Sequence, residues 1–212
     1  MRDEPLSESF KTYYAMGEPP AAARSKPKNE DESLRADLLV RQILPVANDK
    51  PVLDACCGAK GMYFDKSDKR VLFSDIRNET YENYYPSGYK KTIISPDVVA
   101  DFTNIPHADN TFYLVVFDPP HICRAKDNKG EIGNRYGKLY GDWRGMIQKG
   151  FNECFRVLKP NGILIFKWCE VEIPIKEILK LTEEKPLFGH RIKKNLKTHW
   201  VTFIKADRQN SA

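Results

Sequence analysis

Four aspartates in this chain each sit at the end of a short apolar run: Asp54 after Val52-Leu53, Asp75 after Val71–Ser74, Asp101 after Val98–Ala100 and Asp118 after Phe112–Phe117. One such acid reads as a solvated loop residue, but four at consecutive strand ends read as a pocket whose carboxylates accept hydrogen bonds from hydroxyls and amines. The first opens Asp54-Ala55-Cys56-Cys57-Gly58-Ala59-Lys60-Gly61, a small-residue turn that lets a ligand approach the backbone closely. The second follows it by 21 residues, the interval at which α/β nucleotide-binding folds place an acid for ribose hydroxyls. The third adjoins Phe102, and the fourth begins Asp118-Pro119-Pro120-His121, where two prolines fix the backbone that aims the flanking groups. Cys56 and Cys57 read as two small buried side chains rather than reactive thiols.

Beyond His121 the segment Ile122–Gly141 sets Arg124, Lys126, Lys129, Arg135 and Lys138 among Tyr136 and Tyr140. Loops of this length are lids or binding loops, and cations among aromatics suit phosphate contact with base stacking. A second basic run, Lys185 to Lys197, is expected at the same sheet edge. Lys167 and Trp168, ending another apolar run, border the expected pocket, and histidines 107, 190 and 199 receive no role.

These residues need a frame. Val52–Ala55, Val71–Ser74, Val98–Ala100, Phe112–Phe117 and Ile163–Trp168 read as strands buried on both faces, and His199–Ile204 as an alternating closing strand after Leu187-Phe188. Helix-like stretches separate them, so βαβ units and an open α/β sheet follow. Asp142–Leu158 carries Trp143, Met146, Ile147, Phe151, Cys154 and Phe155 at helical spacing, and Ile175–Leu181 is a shorter helix. Leu34, Leu38, Leu39 and Ile43 predict a helix over Glu32–Leu44, stopped by Pro45. The expected organisation is an N-terminal arm over 1–33, one catalytic-type domain over 34–205 and a tail over 206–212. Phe10, Tyr13, Tyr14 and Met16 could dock the arm.

With 212 residues the chain excludes two large domains, and at 41% hydrophobic and 30% charged it excludes wholesale disorder. No apolar run reaches the roughly 18 residues of a membrane helix. The acidic N-terminus shows no leader, so a cytoplasmic protein without a membrane partner is expected. Five cysteines, odd in number and lacking CxxC spacing, point to reduced thiols and no metal site. The net charge of +5 tolerates a polyanionic partner.

In order and spacing, VLDACCGAKG, LFSDIR and VVADFTNIP resemble the binding segments of the class I S-adenosylmethionine-dependent methyltransferases, a likeness spanning about Leu34 to Lys205. The resemblance implies an open, doubly wound, seven-stranded, mostly parallel sheet with an antiparallel terminal strand. It implies that Asp54, Gly58, Asp75, Asp101 and Phe102 contact the cofactor, Phe102 beside its adenine. Cys56 and Lys60 stand where many members carry glycine, with Gly61 adjoining, and Lys60 is expected to reach outward toward a cofactor carboxylate or an anionic substrate. Asp118-Pro119-Pro120-His121 resembles the (D/N/S)PP(Y/F/W) motif of methyltransferases acting on conjugated amines, above all the exocyclic amine of adenine, with His121 in the aromatic position. Such an amine has a delocalised lone pair, so the implied roles are hydrogen acceptor for Asp118, backbone acceptor for Pro119 beside Pro120, and target contact for His121. Arg124, Lys126, Arg135, Tyr136 and Lys138 would bind a nucleic-acid substrate, and no metal is needed. The chain looks like small stand-alone methyltransferases of bacteria and their phages, active as a monomer or small homo-oligomer. Without a target-recognition domain, weak selectivity on duplex DNA, or an RNA or single-stranded target, is implied. A protein side-chain amide or small-molecule amine as acceptor, and a non-catalytic cofactor-binding subunit, stay open.

Overall fold

Short β-branched and aromatic runs set the architecture. A computed structural model describes residues 50–85, 88–123, 137–139, 141–189 and 197–207. The expected arm, the Glu32–Leu44 helix, Arg124, Lys126, Arg135, Tyr136, Tyr140 and most of the second basic run lie outside them. The chain divides between Ile43 and Leu44, and every described residue belongs to the C-terminal unit.

Among the described residues nine strands follow in chain order: β1 (Val52–Asp54), β2 (Val71–Asp75), β3 (Glu79–Tyr85), β4 (Gly88–Ile94), β5 (Val98–Val99), β6 (Phe112–Phe117), β7 (Leu158–Cys169), β8 (Phe188–Gly189) and β9 (Thr198–Ile204). Seven form one sheet in the order β5-β2-β1-β6-β7-β9-β8. β1, β2, β5, β6 and β7 pair in parallel, whereas β9 runs antiparallel to both β7 and β8. This is the open α/β sheet with an antiparallel terminal strand that the sequence predicts.

The crossovers differ from expectation. Residues 55–70, between β1 and β2, form successive turns without a helix. Gly58, Gly61 and the polar run from Asp65 to Arg70 deny that stretch a repeating apolar face. Between β2 and β5 stands an antiparallel hairpin, β3 with β4, in register Tyr81 to Thr92 and Glu79 to Ile94. Thr92 and Ile94 are buried while Lys91 and Ile93 are exposed, the two-residue alternation of a half-covered strand.

The other half of the sheet packs on helix α1 (Trp143–Val157), which begins where the Asp142 carboxylate accepts the Gly145 N–H at 3.0 Å. Its buried stripe, Ile147, Phe151, Cys154 and Phe155, meets Val115, Phe117, Leu164, Phe166, Trp168 and Phe203. Phe151 lies 4.8 Å from Phe166 and 5.5 Å from Phe117 between ring centroids. Gly150 is required here, because a Cβ would fall 2.6 Å from Phe117 and 2.7 Å from Phe102. A short helix α2 (Ile175–Ile178) continues into a 3₁₀ turn and adds Ile178 to the same core. Among the described residues no helix is long and apolar enough to cross a membrane.

Candidate functional site

In the strand order, β1 and β6 are neighbours whose onward connections run to opposite sides, which opens a crevice beyond their carboxyl ends. A cavity of about 850 Å³ occupies that position, walled by the turn after β1, the ends of β2, β5 and β6, and Lys167 of β7.

The first wall is built on Asp54. It is fully buried, and its Oδ1 accepts the Cys56 N–H at 3.1 Å. Its Oδ2 has no hydrogen-bond partner among the described residues. Burial pushes this carboxyl up to about 7, against the pull of the Cys56 N–H and the nearby Tyr63 hydroxyl and with the charges of Asp118 and Asp75 adding. Asp54 therefore lies under the turn and shapes it, while Ala55, Cys56, Cys57 and Gly58 face the cavity. Burial also pushes both thiols up, so they stay neutral. Gly58 takes φ +50°, a conformation suited to glycine.

Lys60 departs from the expectation that it reaches outward. At φ +54° its side chain turns back, and its ammonium stands 4.2 Å from the centroid of the buried Phe73 ring instead of at the cavity wall. Gly61 lines the cavity, and a Cβ there would meet nothing within 4 Å.

Asp75 joins two loops. Its Oδ2 accepts the Gly58 N–H at 2.8 Å, and its Oδ1 accepts the Arg77 N–H at 3.0 Å and Nε–H at 3.1 Å. Arg77 was not singled out by the sequence, nor were Ile76 and Tyr81, yet all three line the cavity. The only signal was position: Ile76 and Arg77 directly follow the strand-end acid, and Tyr81 lies on the unanticipated hairpin.

Asp101 turns its Oδ1 to the Thr103 N–H and hydroxyl, at 2.8 and 2.9 Å, and keeps Oδ2 without a hydrogen-bond partner among the described residues. Phe102 packs with its ring centroid 5.4 Å from that of Phe117 and lines the cavity. The loop bearing both is clamped to α1. Glu153 accepts the Ile105 N–H at 2.7 Å, and Arg156 donates to the Ile105 and His107 carbonyls and to Asp109. Glu153 and Arg156 also pair with each other on α1, and because their other partners lie far away in sequence the clamp left no signal there.

At the far end stand Asp118, Pro119, Pro120 and His121, all at the cavity wall. Asp118 Oδ2 pairs with Lys167 Nζ at 2.5 Å. Burial pushes the Asp118 carboxyl up, opposed by the Lys167 and His121 charges. Burial holds the His121 imidazole below its ordinary value, with the Asp118 charge acting the other way, so the ring is neutral at neutral pH. Trp168, considered beside Lys167, is fully buried and donates its indole N–H to the Ile173 carbonyl at 2.8 Å.

The Leu139 N–H donates to the Ile122 carbonyl at 2.9 Å, and the Cys123 N–H to Glu172 at 2.7 Å. Gly137 and Lys138 thereby return to the cavity wall, and at Gly137 a Cβ would fall 3.1 Å from Pro120. Of the expected substrate-binding set, Lys138 alone falls within the described residues. Among those residues no group of three or more His, Cys, Asp or Glu is placed to hold a metal ion.

No family model matches the chain, and a search of curated proteins returned no match. Solved structures do resemble it. The PH0226 protein from Pyrococcus horikoshii OT3 is 13% identical, with 84% of this chain and 93% of that one covered at a TM-score of 0.49. A TehB-like SAM-dependent methyltransferase from Corynebacterium glutamicum is 14% identical over 93% of this chain and 94% of its own, at 0.46. An rRNA methylase from Streptococcus thermophilus is 10% identical over 85% and 97%, at 0.44.

Proposed function

We propose that the protein is an S-adenosylmethionine-dependent methyltransferase acting on an amino nitrogen, the exocyclic amine of a nucleic-acid base. The observation that carries this reading is a single cavity joining the Gly58 turn, Asp75 and Asp101 to Asp118-Pro119-Pro120-His121. The residues fit the cofactor. Gly58 and Gly61 leave the backbone of the turn approachable, Asp101 offers a free carboxylate oxygen, and Ile76 and Phe102 supply apolar walls for a base. When bound, the cofactor supplies an electrophilic methyl group.

The chain's own work is to prepare the acceptor. Asp118 and the Pro119 carbonyl accept the amine hydrogens and concentrate the lone pair on nitrogen, and the neutral His121 ring borders the target. Removing that acceptor charge costs on the order of 10²–10⁴-fold in turnover. Arg77 and Lys138 at the same cavity, with the net charge of +5, favour an anionic acceptor molecule.

Calorimetric titration with S-adenosylmethionine and its demethylated product, with NAD as control, tests the cofactor; micromolar binding weakened in Asp101→Asn is expected. A labelled-methyl screen of DNA, RNA and protein then tests the acceptor. Nuclease-sensitive label lost in Asp118→Ala supports the reading, and protease-sensitive label moves the acceptor to a side-chain amide. Absence of binding by the folded, ligand-free protein overturns the assignment.

A further inference from the structure

Asp118 accepts amine hydrogens most strongly as an anion, yet it occupies a place that resists ionisation. Its side chain is about one-fifth exposed and lines the cavity. It is faced by Lys167 from β7, by His121 from its own loop, by Asp54 at the end of β1, and by Cys56 and Tyr63 from the turn beyond. Of these groups one carries a positive charge at neutral pH, and it is in direct contact: Lys167 Nζ, at 2.5 Å from Oδ2. Asp54 works in the opposite sense, because a second carboxylate nearby disfavours the charge on the first.

We propose that Lys167 is a positioning residue that keeps Asp118 ionised and, by occupying Oδ2, leaves Oδ1 as the oxygen that meets the acceptor amine. This rests on the methyltransferase reading for its purpose, though the coupling itself can be measured without it. The placement is specific. Lys167 lies in β7, paired with Trp200 of β9, and its ammonium stands 5.7 Å from that ring, so the strand pair holds the cation over β6. Oδ1 has no hydrogen-bond partner among the described residues, which leaves it for a ligand. A lysine opposite the motif acid was legible only as a residue bordering the pocket, because the contact joins residues 49 apart.

The sign of the effect follows from the charges. Burial raises the Asp118 carboxyl, and removing the ammonium raises it further, so the ionised fraction at a given pH falls. The experiment titrates the Asp118 carboxylate by carbon NMR in the full chain as wild type, Lys167→Met and Lys167→Arg, beside the pH profile of methyl transfer. In Lys167→Met the midpoint and the acid limb of the profile are expected to rise together by about one pH unit or more, an approximately tenfold loss of rate on that limb, and Lys167→Arg restores both. A midpoint unmoved in a folded Lys167→Met, or one that Lys167→Arg leaves displaced, overturns the proposal. A midpoint that moves in a protein transferring no methyl group supports the coupling and overturns the methyltransferase reading instead.

Discussion

The two halves of the sheet are held by different physics. On the β6-β7-β9 side, α1 and α2 press a continuous aromatic core against the strands, with Phe117, Phe151, Phe166, Trp168 and Phe203 almost or wholly buried. On the β5-β2-β1 side turns and a hairpin replace crossover helices, and the second apolar cluster is small: Cys57, Val71 and Phe73, flanked by Val52 and Tyr63. There the loops are tied by carboxylates instead, Asp54 to Cys56, Asp75 to Gly58 and Arg77, Asp101 to Thr103. Apolar burial supplies the rigid platform for the Asp118–Lys167 pair, while carboxylate hydrogen bonds shape the opposite wall of the cavity. Polar groups that hold a loop can also face a ligand, whereas the phenylalanines of the platform, Phe102 apart, are spent on packing.

Substitutions on the two sides sharpen the contrast. Phe151→Ala should cost about 3–5 kcal/mol of unfolding free energy in a denaturant titration, as truncations of buried aromatics do. A loss below about 1 kcal/mol would mean the aromatic side is not where stability resides. Asp54→Asn should act in the opposite direction. Its folded-state carboxyl, at about 7, lies above the ordinary value of 3.8, so the native state binds the extra proton and stability declines as pH rises between those values. Asparagine keeps an oxygen for the Cys56 N–H and removes that decline. The variant is expected to be more stable than wild type above pH 7, by at most about 4 kcal/mol, and to lose most of that advantage near pH 4. Parallel pH–stability curves for the two proteins would break the account of the acidic side. Lys60→Met should change little, within about 0.5–1 kcal/mol, with cofactor affinity unaltered, because the ammonium sits on Phe73. A large drop in affinity would return Lys60 to the site.

Legibility in the sequence follows the same division. The aromatic half was readable because strands buried on two faces and a helix with one apolar stripe each leave a one-dimensional period, and α1 begins at the expected Asp142. Glu79–Ile94 was read as part of a helix-like interval, although its Tyr, Thr and Ile content is strand-forming. Asp75, Asp101 and Asp118 were placed at the crevice because their strands were. Arg77, Tyr81, Glu153 and Arg156 escaped because their roles exist only once distant segments meet. Lys60 was misplaced for a local reason: a left-handed residue sends its side chain where spacing alone does not predict.

The Leu139-to-Ile122 backbone bond has an evolutionary corollary. It ties the residue that follows the strand-end motif to one beside the cavity through main-chain atoms alone, so the tie does not depend on which side chains stand at either position. Selection can therefore exchange residue types along this rim while the main-chain tie, and the aromatic platform beneath it, stay as they are.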